Sequence, residues 1–185
     1  MIQTTTLLKA YRVGYFPMSI GGEIKWCSPA LRGIVPLKAF HVPRRLQRVL
    51  RRGAFEVSIN RAFRQVVVSC ASRPDPAGNW INDEIIDSYR SLHRAGYAHS
   101  VETWCEGVLV GGLYGVALRG AFFGESMFHT KSDASKVALA SLVDRLTERG
   151  YRLLDIQWLT SHLSQFGAIE VVRARYLELL VEAMK

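Results

Sequence analysis

The stretch that most restricts the fold runs from Val108 to Phe128, two apolar, aromatic-rich segments on either side of Arg119-Gly120. Two such runs joined by a short turn signal predict a β-hairpin. Gly111, Gly112, Gly115, Gly120 and Gly124 lie inside it or at its turn. Glycine weakens a strand, so its repeated use marks a bulge or a close approach by a ligand or another backbone. In the second strand one carboxylate, Glu125, stands among Phe122, Phe123, Met127 and Phe128. Apolar walls, missing side chains and a single charge describe the floor of a binding site. A buried hairpin with Glu125 at a solvated end accounts for the same residues.

His99 to Cys105 alternates into a strand just before the hairpin, so three antiparallel strands run in sequence. A helix follows from Ala134 to Arg149, capped at Ser132/Asp133 and stopped by Gly150. Arg152 to Gln157 is then a short apolar strand, expected at the centre of the sheet. Period-two alternation puts Asp155 and Gln157 on one face, with Leu154 and Ile156 on the other. A carboxylate and an amide inside an apolar strand are costly unless hydrogen-bonded or used, which leaves a satisfied pair or a reactive site.

Around this centre the elements are shorter. Thr4-Thr5-Thr6 caps a helix through Val13, ended by Gly14; an apolar corner, Tyr15 to Met18, leads to a Gly21-Gly22 turn. Residues 1–33 read as a small N-terminal domain and 34–185 as the main one. Gly33 to Leu37 and Phe55 to Ile59 read as strands, with Asn60 capping a helix to about Cys70. Ala71 to Asn79 carries Pro74, Pro76 and Gly78 and must be loop, and an Asn82-capped helix runs to about Ala95. Thr160-Ser161-His162 starts a short helix ended by Gly167. A strand at Ile169 to Val172 and an amphipathic helix from Arg173 to Met184 follow.

The 24 Lys and Arg residues outnumber 16 Asp and Glu, giving a formal charge of +8 that favours nucleic acid or anionic membranes. Pro43 opens a helix on which Arg44, Arg48, Arg51 and Arg52 share one face, opposite Leu46, Val49 and Leu50. Arg61 and Arg64 extend the patch. Such a row suits a phosphate backbone, and an ordinary solvated face gives the same pattern. Trp80, at the end of an open loop, can stack on a base or simply cap the core. Three widely spaced cysteines, Cys27, Cys70 and Cys105, suit reduced thiols in a cytoplasmic protein. No secretory leader or membrane-spanning run is legible, and the five histidines have no metal spacing. No nucleophile-elbow, zincin, Walker or dinucleotide motif occurs, and no cofactor or metal is expected.

A long helix after a hairpin, followed by a strand bearing polar residues, resembles an acetyltransferase-like α/β (α+β) domain of the GNAT type. The turn before the long helix, His129-Thr130-Lys131-Ser132-Asp133, lacks the glycine-rich loop such enzymes use for the pyrophosphate of coenzyme A. An acyl donor other than acyl-CoA is therefore attractive, and the basic helix suggests RNA. An acyl-CoA-dependent N-acyltransferase and a non-catalytic RNA-binding module remain the rival readings; the second leaves the Asp155/Gln157 pair unexplained.

A set of blocks sharpens this. Ala10-Tyr11-Arg12-x-Gly14-x-Phe16-Pro17, Trp26-x-Ser28-Pro29, Asn60-Arg61-Ala62-Phe63, Leu92-His93-x-x-Gly96 and Ala98 to Glu102 occur in order. Leu109 to Val116, Phe122 to Phe128 and Ala134-Ser135-Lys136 complete the set. Together they resemble the leucyl/phenylalanyl-tRNA–protein transferases over nearly the whole chain. That likeness implies transfer of Leu or Phe, and also Met, from aminoacyl-tRNA to the N-terminal Lys or Arg of acceptor proteins, marking them for degradation. It implies catalytic roles for Asp155, Gln157 and Glu125, and a donor side-chain pocket of Leu113, Phe122, Leu139, Leu146 and Leu154. It also implies adenosine stacking on Trp80 with Tyr11 nearby. Glu125 stands either for the acceptor's cationic side chain or for the donor's amino group. Met18 departs from many members, which carry a tryptophan there.

Overall fold

The computed structural model describes residues 1–74 and 79–185, so part of the expected 71–79 loop lies outside the described residues. The chain builds α1 (Thr4–Arg12), β1 (Phe16–Ile20), β2 (Glu23–Cys27), β3 (Leu31–Val35), α2 (Arg44–Arg51), β4 (Glu56–Ile59), α3 (Phe63–Ala71) and α4 (Asp83–Arg94). It continues with β5 (Ala98–Cys105), β6 (Val108–Leu118), β7 (Ala121–His129), α5 (Ala134–Glu148), β8 (Leu153–Gln157), α6 (Ser161–Ser164), β9 (Ile169–Val172) and α7 (Arg173–Ala183). β1 and β2 form a two-stranded sheet; the other seven strands lie in the order β4-β5-β6-β7-β8-β3-β9. All pair antiparallel except β7 with β8, which α5 connects.

Strand alternation gives each face of this sheet its own apolar layer. Leu113, Phe122 and Leu154 face α5, packing on Leu139, Leu142 and Leu146. Tyr114, Val116 and Phe123 face the other way, toward α1, α3, α4 and α7. Each large apolar side chain fully buried in these layers stabilises the fold by about 1.5–3 kcal/mol.

Two bulges open the middle of the sheet. β7 and β8 pair only over Ala121–Phe123 and Leu153–Asp155. Just beyond, Tyr114 opposes Ser126 while Gly115 opposes Gly124, leaving Glu125 as an extra residue on β7. On β8, Gly33 opposes Gln157 and Ile34 opposes Asp155, leaving Ile156 extra. A bulge bends its strand and re-aims side chains, so the two strands part, with Glu125 on the face that Phe123 and Tyr114 share. Gly115 is required here: a Cβ would lie 2.3 Å from the Phe123 carbonyl oxygen and 2.4 Å from a Phe122 ring carbon.

The structure departs from the sequence reading at several elements. β3 begins at Leu31, not Gly33, so residues 31–33 belong to the main sheet. The β1–β2 hairpin, read only as an apolar corner and a turn, forms around Gly21-Gly22. Asn60 does not cap α3, whose N-cap is Ala62. It adopts φ 60° and its Oδ1 accepts from the Ser100 backbone amide at 3.0 Å. Leu50, expected opposite the arginines, is exposed. Among the described residues no helix is long and apolar enough to cross a membrane, and the three cysteines are free.

Candidate active site

Where β7 and β8 part lies a cleft of about 530 Å³. Leu113, Leu139, Leu142 and Leu154 line its α5 side; Phe16, Met18 and Trp80 line the other; Glu125 and Gln157 stand between them. Glu125 is the only carboxylate on its walls among the described residues.

Asp155 is fully buried beneath this cleft and does not line it. Its Oδ1 accepts from Arg32 Nε at 2.9 Å and from the Gln157 backbone amide at 2.9 Å. Its Oδ2 accepts from Arg32 Nη2 at 2.7 Å and from the Tyr176 hydroxyl at 2.7 Å. Those four donors fill the acceptor capacity of a carboxylate, which leaves no lone pair for a substrate proton. Arg32 lies between the rings of Phe16 and Tyr176, 4.6 and 4.4 Å from their centroids, and donates to the Gly14 carbonyl at 3.1 Å. Asp155 is thus a positioning residue: its Oδ1 fixes the backbone of Gln157, which takes the left-handed φ of 58°.

Glu125 is held from the opposite side. Its Oε1 accepts from Tyr11 at 2.6 Å and its Oε2 from Tyr89 at 2.9 Å, which uses the one hydrogen of each phenol, and the two hydroxyl oxygens lie in contact. Burial pushes the Glu125 carboxyl up to about 7 against the pull of those two hydrogen bonds. Burial, and then the charge of Glu125, holds both phenols well above the usual tyrosine range, so they stay protonated as donors. Gln157 Nε2 approaches Glu125 Oε1 at 3.5 Å, which joins the two networks.

Of the residues implied for the donor pocket, Leu113, Leu139 and Leu154 line the cleft, joined by Leu142, which the sequence reading omitted. Phe122 and Leu146 sit behind them in the same apolar layer and border a smaller cavity instead. Trp80 lines the cleft, half-buried. Tyr11 requires correction: it is wholly buried, packs on Phe123 at 4.8 Å and has no open face for a base. Its hydroxyl orients Glu125 instead. Arg44, Arg48, Arg51 and Arg52 are all exposed on and just after α2. At the start of α5, Asp133 meets Lys136 at 2.9 Å and Arg45 at 3.7 Å, placing a carboxylate at that helix end.

Arg32, Tyr89, Tyr114 and Tyr176 were missed as site residues. Tyr114 lies within the Leu109 to Val116 block but carried no role in the sequence reading, and Arg32, Tyr89 and Tyr176 lie in none of the blocks.

The split sheet with a helix crossing from β7 to β8 defines the acetyltransferase fold. A GNAT family acetyltransferase from Brucella melitensis, solved in complex with acetyl-CoA, superposes with a TM-score of 0.50 at 17% identity, over 64% of this chain and 87% of that one. Sequence narrows the class. The family model for leucyl/phenylalanyl-tRNA protein transferase matches residues 34–181, and that for its N-terminal domain matches 1–30. The leucyl/phenylalanyl-tRNA–protein transferase of Ruegeria pomeroyi is 50% identical over 181 residues, 96% of this chain and 85% of the relative. That of Rhizorhabdus wittichii is 51% identical over 190 residues, 99% and 75% respectively. The chain belongs to the leucyl/phenylalanyl-tRNA–protein transferase family.

Proposed function

We propose that this enzyme moves Leu, Phe or Met from aminoacyl-tRNA to the N-terminal Lys or Arg of acceptor proteins, creating a degradation signal in the cytoplasm. The observation that carries the reading is the apolar cleft at the parted strands, with Gln157 and Glu125 between its two halves. The small N-terminal unit reaches the site of the main domain through Tyr11, while Arg32 stands on β3 of the main sheet.

In the proposed reaction the acceptor's α-amine attacks the ester carbonyl carbon. A C–N bond forms, the bond to the ribose oxygen of the tRNA breaks, and the amine's proton passes to that oxygen. The ester is already activated, so alignment of the two substrates is most of the task. An α-amine has a pKa of roughly 7.7–8.0, so about a tenth is free base at neutral pH and a hydrogen-bond acceptor suffices. Gln157 supplies it: with Nε2 turned toward Glu125, its Oε1 accepts an N–H of the amine, while Asp155 holds the backbone beneath.

Leu113, Leu139, Leu142 and Leu154 take the donor side chain, backed by Phe122 and Leu146. In such a slot one methylene changes preference by only about 1–3 kcal/mol, which suits several donors of similar size. Trp80 stacks on the terminal adenosine. The α2 arginines meet the tRNA backbone. Glu125 receives a cationic group, either the acceptor side chain or the donor amine. The turn before α5, His129 to Asp133, has no glycine, which weighs against the pyrophosphate of an acyl-CoA donor.

The test is transfer of labelled leucine from charged tRNA to peptides beginning with Arg, Lys or Val, with acetyl-CoA run in parallel. Labelling of the Arg and Lys peptides alone is expected. Acetylation, or tight tRNA binding without transfer, overturns the reading.

A further inference from the structure

Among the described residues two buried side-chain atoms lack a hydrogen-bond partner, Tyr114 Oη and His162 Nε2, and both residues line the cleft. Tyr114 is the sharper case, because the residue is 0% exposed. Its ring is fixed edge-on to Tyr89 and Phe63, with centroids 5.5 and 6.0 Å away. A buried hydroxyl left unpaired is costly, and natural sequences pair such groups or use them on a ligand. Phenylalanine would fill the same space without that cost.

The surroundings say which ligand. Tyr114 stands on β6 opposite Ser126, beside the bulge at Glu125, which lies on the same face. Glu125 has given one acceptor position on each oxygen to Tyr11 and Tyr89, and a carboxylate offers about four. Burial, then the negative charge of Glu125, keeps the Tyr114 phenol protonated. A neutral hydroxyl beside a buried carboxylate completes the coordination of a cation with several N–H donors. Resting on the transfer reaction proposed above, we propose that Tyr114 is a binding residue: its Oη accepts a hydrogen bond from the ammonium group that Glu125 attracts. An ammonium has three N–H donors, enough to serve both the carboxylate and the hydroxyl. The same chemistry arises from the donor's α-ammonium or from the acceptor's side chain.

The test needs no transfer. Wild type and Tyr114→Phe are titrated calorimetrically with leucine amide, with its deaminated counterpart 4-methylpentanamide, and with N-acetyl-lysine amide. The variant is expected to bind one ammonium probe roughly tenfold more weakly, as for a missing hydrogen bond to a charged group. Its affinity for 4-methylpentanamide should not change, and its melting temperature should equal or exceed that of wild type. A loss confined to leucine amide assigns the donor amine, and one confined to N-acetyl-lysine amide assigns the acceptor. Equal binding of all probes by both proteins overturns the proposal. So does a lowered melting temperature, an equal loss for the deaminated probe, or failure of wild type to bind either ammonium probe at millimolar concentration. Failure of leucine transfer with the probe result intact would count against the reaction and not against this site.

Discussion

Replacing Glu125 with glutamine removes a titrating group while keeping its shape between Tyr11 and Tyr89. In the folded chain burial holds this carboxyl at about 7, against an ordinary value of 4.5. Ionising it therefore costs ~3 kcal/mol more in the folded than in the unfolded chain. Because the folded value is the higher one, the wild type keeps its full stability below about 4.5 and loses that ~3 kcal/mol as the pH rises through 7. Glutamine does not titrate, so the variant gains on the wild type across this window. For a chain of this size the gap corresponds to roughly 6–12 °C in melting temperature. The assay is thermal unfolding of both proteins at half-unit steps from pH 4.5 to 8, each read against its own acid limit. Parallel profiles would refute the reasoning, since they would mean that Glu125 ionises in the folded chain as easily as in water.

Further outcomes follow from the same geometry. Arg32→Met strands the buried charge of Asp155 and should cost about 3–5 kcal/mol in urea unfolding, most of it restored by adding Asp155→Leu; a loss below about 1 kcal/mol would deny the ion pair its structural weight. Gln157→Ala should lower turnover about 100-fold with little change in donor KM, whereas equal losses in both would argue for a structural role. Gly115→Ala forces the Phe123 carbonyl aside, and should cost about 1–3 kcal/mol and weaken donor binding; unchanged kinetics would show that the bulge does not aim Glu125. Replacing Arg44, Arg48 and Arg51 with alanine should flatten the slope of log K for tRNA against log salt by roughly 0.7–0.9 for each phosphate no longer neutralised, and an unchanged slope would move the RNA elsewhere.

The hairpin around Arg119-Gly120, the long helix after it and the strand ending in Gln157 were legible because each rests on local chemistry: turn residues, helix periodicity and alternation. Asp155 and Gln157 were legible for a related reason, as polar groups in an apolar strand. The Glu125 bulge was not, since a bulge is a property of two strands in register and shows in one of them only as extra glycine. Tyr11 was misread because its neighbourhood is set by Tyr89 and Glu125, which lie 78 and 114 residues away in the chain. Arg32 was passed over because nothing near it in sequence needs a cation; its partner is 123 residues distant. Boundaries failed where propensity was weakest, as at Asn60, which has the composition of a cap and the conformation of a turn.

The position of β3 also governs when the site can exist. This strand leaves the ribosome long before either of its neighbours, β8 and β9, has been made. Until then Arg32 has no carboxylate and β3 has two open edges, a state prone to mispairing. Closing so long a loop raises contact order, so refolding of the intact chain should be slow for its size. Synthesis halted before residue 153 would release a chain whose hairpin and α5 are complete but whose candidate site has no floor. Completion of these two strands is thereby expected to decide whether the site forms, and chains cut before β8 should show no transfer.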